Sequence, residues 1–456
     1  MAWVAAAAGA GALAAGAALV LTVAFLVAGV RSGPVEWGQL LTTGVWDPSS
    51  GRFGALAMIW GSGMVAGLAL VVAAPIGWCC AVAINEVAPR RWRRGLRAGC
   101  ELLAVVPSIV YGLVGLVYVR PLVARLTGVP SGDGLVTAGL VLAVMVLPTI
   151  VALSVDALAS VPSGVREAAA ACGLNRTEVT RSAVLPYARR GMAAALLLAL
   201  ARALGETIAV FLLVGRADSR LPTSIGDALS ALTHPGQTLT TKLNGPEVVL
   251  AGTSGRHWAT LCALGALLLL AVAALTVAGQ RRSFRRRYGP VPTSVRLRGA
   301  RRHRAAFDRT VRTGLLVLLA APFALVAGIG LAVLVRGTAA LSPAFWWSAA
   351  SGASGGGVRG QLVGTVLLVG CAGLIAAPVG LGLGLVVAEY ARPGLARWLR
   401  TLTLTLGGVP SILLGLWGYW LFTTRLGWGR SWLAGAVVLA VVAVPVVVVA
   451  VAAAAA

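Results

Sequence analysis

The sequence predicts an all-α, polytopic membrane protein of about ten spans, arranged as two parallel repeats of which the second is incomplete. Three observations lead there. The 456 residues are 58% hydrophobic and 11% charged, against roughly 25% charged in a soluble domain. The charges sit in short segments between long apolar runs, many close to the ~20 residues that a membrane-crossing helix needs. Prolines, glycines and a glutamate then recur in one register, 303 residues apart.

Taken in order, the apolar runs place spans near 8–30, 55–84, 100–119, 136–156, 191–214, 257–279, 313–335, 360–388, 401–421 and 432–451. The first has no basic segment before it and is long enough to cross, so it reads as an uncleaved helix and not as a leader. Several runs exceed the bilayer thickness and imply tilt. The connections alternate in charge. With the N-terminus inside, the even connections carry 25 arginines and the five odd ones carry 12 basic residues. The positive-inside rule then makes the N-terminus and 281–312 cytoplasmic and puts 215–256 outside. One basic residue, Arg202, falls within a span.

The repeat is carried by matched positions: Pro75 with Pro378, Glu86 with Glu389, Pro107 with Pro410 and Gly112 with Gly415. Pro148 and Pro445 differ by 297, so one intervening loop is six residues shorter in the second copy. Matching spans lie an even number apart, so both copies share one orientation, as in parallel repeats about an axis along the membrane normal. The arginine-rich segment between them reads as a cytoplasmic linker, or as a surface helix on anionic membrane lipid. The second copy stops short of any counterpart of residues 165–206, so the chain is expected to be incomplete as a transporter, by truncation or because another polypeptide supplies the rest.

Composition excludes several classes. The net charge of +24 suggests nucleic acid, but the basic residues flank membrane spans, without the soluble basic face that such binding requires. Six cysteines and three histidines show no metal-ligand spacing. No phosphate-cradling G-x-x-x-x-G-K-[ST] loop and no nucleophile–base constellation occurs. No catalytic residue, metal or cofactor is therefore expected in this chain.

Two segments carry chemistry. Residues 165–190 contain Glu167-Ala168-Ala169, Gly173 six positions after the glutamate, and Leu185-Pro186. Alanine favours helix, Gly173 lets the backbone leave it, and Arg176, Glu178 and Arg181 suit a second polar helix. The plain alternative is an ordinary amphipathic loop helix. Residues 201–210 place Arg202 and Glu206 four apart on one helix face, inside an apolar run. Each charge at mid-membrane costs about 2.5–3.5 kcal/mol on insertion scales, so the pair should face a pore or a partner. An arginine fork matches a tetraoxyanion, and Glu206 would hold the arginine and repel a fully deprotonated anion. The plain alternative is a structural ion pair.

The loop 165–190 resembles the EAA loop of ABC-importer permeases, with Ala183 where that family usually has isoleucine. The run from Arg202 through Glu206 and Thr207, with the V-P-S-I segments around Pro107 and Pro410, resembles phosphate-importer permeases. The resemblance implies two type I (MetI-like) units: a PstC-like unit at 1–288, an Arg-rich linker at 289–304 and a PstA-like unit at 305–456, truncated before its EAA loop. It implies a multi-pass cell-membrane permease that passes phosphate inward. Its partners would be a cytoplasmic ATP-binding subunit dimer, an extracytoplasmic phosphate-binding protein and, in separate-chain systems, a second permease chain. Glu167, Ala168, Ala169, Gly173, Leu185 and Pro186 would dock the ATPase. Arg202, Glu206, Thr207, Ser108 and Ser411 would line the substrate path, and Pro107 and Pro410 would kink equivalent helices. A permease for another oxyanion, such as molybdate, sulfate or phosphonate, is the alternative within transport. A non-transporting sensor or scaffold is the alternative outside it. A passive channel would leave the docking loop without a use.

Overall fold

The computed structural model describes residues 19–217, 221–252, 255–284, 301–338, 342–351 and 355–455. The start of the first expected span and most of the 289–304 linker lie outside these residues. Lipid offers no partner to backbone N–H and C=O groups, so apolar segments of this length fold as helices that satisfy them internally. Among the described residues, eight helices are long and apolar enough to cross a membrane, and nine if one bent pair counts as a span; the shorter apolar helix α1, Leu19–Arg31, stands beside them.

The first copy contains α2 (Leu56–Val82, running on through a π turn to Val87), α3 (Arg90–Val105), α4 (Ser108–Thr127) and α5 (Leu135–Ala159). Short helices α6 (Ser163–Ala171) and α7 (Arg176–Val179) follow, then α8 (Leu185–Gly205) and α9 (Ile208–Leu213). A five-residue helix, α10 (Leu239–Leu243), precedes the long α11 (Gly255–Phe284). The second copy is α12 (Arg301–Gly337), α13 (Arg359–Leu385, with a π turn to Tyr390), α14 (Pro393–Gly407), α15 (Ser411–Arg425, its second half a π turn) and α16 (Trp432–Ala454). A two-residue hairpin pairs Trp46 with Phe53 before α2.

The repeat is structural as well as sequential. Helix starts at Leu56 and Arg359, π turns at Ala83 and Val386, and helix starts at Ser108 and Ser411 all keep the 303-residue shift. In both copies α2 or α13 packs along α5 or α16. The same crossing point is used twice. A Cβ at Gly77 would lie 2.7 Å from Ile150, and one at the matching Gly380 would lie 2.6 Å from Val447, itself the match of Ile150. Glycine is required there because the helices approach too closely for a side chain.

Three expected spans are corrected. Those near 100–119 and 401–421 each straddle a break. The residue before proline is pushed out of the helical region, and Val106 takes φ −64°, ψ 125°. Pro107 and Pro410 each stand at the N-cap of a new helix, so they do not kink a continuous one, and α14 and α15 cross at 85°. The span near 191–214 belongs to a helix that runs from Arg176 through a π turn into α8 and breaks at Glu206, which is extended at ψ 133°.

Two apolar clusters hold the molecule. One joins α2, α4, α5, α8 and α9 with α12; the other joins α1 and α11 to α13–α16. The second copy therefore packs on helices contributed by the first.

Candidate functional site

Two breaks meet at the centre. The end of α8 at Gly205 lies against Pro410, where α15 begins, with a Cβ at Gly205 falling 3.7 Å from the proline ring. Beside this contact is a cavity of about 1000 Å³ between α8, α11 and α14–α16. Its polar lining includes Arg202, Glu206, Gln280 and Ser411, and its remaining wall is largely apolar. Arg202 sits in the last turn of α8, where a cation is favoured by the helix dipole. One of its amino groups donates to Thr149 Oγ1 of α5 at 2.8 Å, leaving further N–H donors for an anion.

The Arg202–Glu206 relation differs from the sequence expectation. Glu206 has left the helix, so the two are not stacked on one helix face, and they form no ion pair within 4 Å. Thr149, which nothing in the sequence singled out, holds the arginine instead. Of the other expected path residues, Ser411 lines the cavity and Ser108 does not. Thr207 is buried at 5% exposure, its hydroxyl donating to the Gly205 carbonyl at 3.3 Å, which ties the break and does not face the cavity.

The segment expected to dock a partner lies at one end of α5. Helix α6 ends as expected, with Gly173 in the left-handed region at φ +76°. Glu167, Ala168 and Gly173 are exposed, whereas Ala169 packs with Leu174 and Ala183 in a small cluster. Leu185 and Pro186 form the first turn of α8, outside the loop itself. The second helix is α7, closed by a capping box in which Asn175 accepts from the Glu178 amide at 2.8 Å and Glu178 accepts from the Asn175 amide at 2.9 Å. Two anchors tie this segment to the body. Arg166 pairs with Glu86 at 2.9 Å and also donates to the Leu158 and Val161 carbonyls. Asp308 of α12 accepts from the Thr177 amide at 3.1 Å and hydroxyl at 2.5 Å. In the sequence Glu86 showed only as a repeat marker, and Asp308 gave no signal.

A helical bundle with eight or nine candidate spans among the described residues, and broken helices meeting beside an arginine-lined cavity, has the architecture of a polytopic membrane protein. The chain belongs to the binding-protein-dependent transport system inner membrane component family, whose model matches residues 73–288. It is similar to the phosphate transport system permease protein PstC of Mesorhizobium japonicum, 38% identical over 41% of this chain and 63% of that one. It is 38% identical to the probable ABC transporter permease protein YqgH of Bacillus subtilis over 46% of this chain and 66% of that one. It is 33% identical to the phosphate transport system permease protein PstC 1 of Mycobacterium tuberculosis over 54% of this chain and 77% of that one. The first two relatives are thus spanned over just under two thirds of their length. Among solved structures, inward-facing MetNI methionine ABC transporter is matched at 19% identity and a TM-score of 0.36, over 52% of this chain and 95% of that one.

Proposed function

We propose that the chain is the permease of an ATP-driven phosphate importer, not an enzyme. Phosphate delivered by an extracytoplasmic binding protein crosses through the central cavity to the cytoplasm. The carrying observation is Arg202, a guanidinium fixed by Thr149 at the wall of a largely apolar cavity. Arg202 takes the anion through its remaining N–H donors. Ser411 adds a hydroxyl from the second copy, and Glu206 accepts from a protonated phosphate oxygen while repelling an anion with no proton to give. The names of the PstC relatives support phosphate as the substrate.

In this reading residues 1–288 form a PstC-like unit and 305–456 a PstA-like one, with the N-terminus and the docking segment in the cytoplasm. Glu167, Ala168, Ala169 and Gly173 contact an ATP-hydrolysing subunit, and Glu86 and Asp308 pass its motion to the two copies. The test is phosphate uptake in cells lacking other phosphate importers. Arg202→Gln is expected to abolish uptake while the protein still inserts; normal uptake would sink the reading. Competition by sulfate or molybdate equal to that by phosphate would reassign the substrate. Cysteine labelling of 281–312 from the outside only would reverse the topology.

A further inference from the structure

At the end of α5 opposite the docking segment lies a second cavity, of about 610 Å³, lined by different residues from the first. Its floor is α10, sunk between α2 and α11, with every residue from Thr238 to Leu243 buried. The helix is pinned where the Leu239 amide donates to Ser62 Oγ at 2.9 Å. α10 carries Lys242, the single lysine of the chain, at 6% exposure. A buried ammonium needs a partner, and Glu247 supplies one at 2.8 Å, with the Trp46 ring 5.0 Å from the ammonium. The other Glu247 oxygen lies 2.8 Å from His257 Nε2 and accepts from the Trp46 indole at 3.4 Å. Burial alone would raise the Glu247 carboxyl, but Lys242, His257 and Trp46 outweigh it and hold it below its ordinary value. Both carboxylate oxygens are thus engaged within the cluster.

The facing wall is Arg216. Its φ is +57°, in the left-handed region that residues other than glycine rarely adopt. Neighbours hold it there: Gln237 donates to its carbonyl at 3.1 Å, and the guanidinium lies 4.7 Å from the Phe211 ring. A strained backbone kept in place at a cavity wall points to function. Asp133, a nearby carboxylate, is engaged by Arg120 at 3.1 Å. Among the described residues, two cations and one fully engaged carboxylate line the cavity and leave it net positive.

We propose that this cavity is an oxyanion-receiving site on the face opposite the docking segment, with Arg216 as the main contact and Lys242 as the deep one. Naming inorganic phosphate as the ligand rests on the transport reading above; the anion site itself rests on its own residues. A small ion fits better than an acidic side chain of a docked protein. Lys242 is reached only from within the cavity, so a protein surface would meet Arg216 alone. The site also lies on the route. Helix α9 starts beside Glu206 of the central cavity and ends beside Arg216, and six residues of helix span roughly 9 Å. An anion released outside would meet Arg216 first and Arg202 one short helix further on.

Equilibrium binding of radiolabelled inorganic phosphate to the purified full chain in lipid nanodiscs tests this. Made in the Arg202→Gln background, where the first cavity no longer offers its arginine, Arg216→Gln is expected to weaken binding at least tenfold at an unchanged unfolding temperature. The double variant Lys242→Met/Glu247→Gln removes the ion pair as a unit, leaving no lone buried charge, and is expected to weaken binding severalfold. Arg202→Gln is expected to keep a phosphate site. Affinity unchanged by Arg216→Gln in that background, or loss of all binding in Arg202→Gln, would overturn the proposal. So would a variant at Arg216 that binds phosphate normally but loses association with an extracytoplasmic binding protein, which would make the cavity a protein socket. Normal cellular uptake by Arg202→Gln beside weakened binding by Arg216→Gln would remove the transport reading and leave the anion site standing.

Discussion

The two copies share their helix boundaries but not their neighbours. In the first, Glu86 at the end of α2 pairs with Arg166 and so anchors the α6–α7 segment. In the second, the matching Glu389 is exposed and has no ion-pair partner among the described residues. The proline breaks diverge as well. Pro410 is buried against Gly205 and borders the central cavity, whereas Pro107 is exposed, with Leu102, Val105, Ile109 and Leu113 exposed around it. Local sequence therefore sets where a helix stops and starts, since the same proline and glycine pattern yields the same boundaries twice. What each break is used for depends on what packs beside it. In a bilayer the open face around Pro107 meets lipid or another helix, while the one around Pro410 meets the first copy.

The proposed docking role is carried by the α6–α7 segment, and Gly173 is the place to break it. Its left-handed backbone strains any residue with a Cβ, and nothing lies within 4 Å of where that Cβ would be. Gly173→Leu should thus disturb the helix exit alone. At least a tenfold loss of ATPase-subunit association in detergent is expected, with the unfolding temperature of the bundle nearly unchanged. Association at the wild-type level would strip the segment of its docking role and reduce it to a loop helix.

The paired glutamates offer a sharper comparison at smaller amplitude. Glu86→Gln weakens a largely buried charged hydrogen bond to Arg166, for which about 1–3 kcal/mol is expected. Glu389→Gln changes an exposed side chain and should fall within about 0.5 kcal/mol of wild type. Amide hydrogen exchange over 160–184 reads the difference directly. Faster exchange with Glu86→Gln and none with Glu389→Gln is expected. Equal effects from both would mean that the glutamates serve the repeat fold and not the docking segment.

Much of this was legible from residue spacing. The repeat, the apolar runs, the left-handed exit at Gly173 and the isolation of Arg202 follow from composition and register. The breaks were not, because a 20-residue apolar window counts hydrophobicity and passes over a single extended residue such as Val106 or Glu206. Consequently Arg202 and Glu206 looked like helix neighbours when the backbone turns between them. The partners of Arg202, Arg166 and Thr177 were also hidden. Thr149, Glu86 and Asp308 lie 53, 80 and 131 residues away, and no local pattern reports contacts at such separation.

The smallest expected effect lies in the residue that orients Arg202. Thr149 of α5 accepts its hydrogen bond at 2.8 Å. The matching position in α16, 297 residues on, is Val446, which lines the same cavity with no hydroxyl. Thr149→Val therefore makes the first copy locally like the second, at nearly constant volume. One hydrogen bond to a guanidinium disappears, and Arg202 keeps its charge and its place in α8. A bond of this kind contributes about 1 kcal/mol, so phosphate uptake should fall about fivefold, far short of the loss expected for Arg202→Gln. Adding Val446→Thr offers the arginine a hydroxyl from the opposite wall, and partial recovery is expected if the cavity is narrow enough for the fork to reach it. Uptake unchanged in Thr149→Val would show that the arginine needs no anchor and that its position on α8 alone aims it.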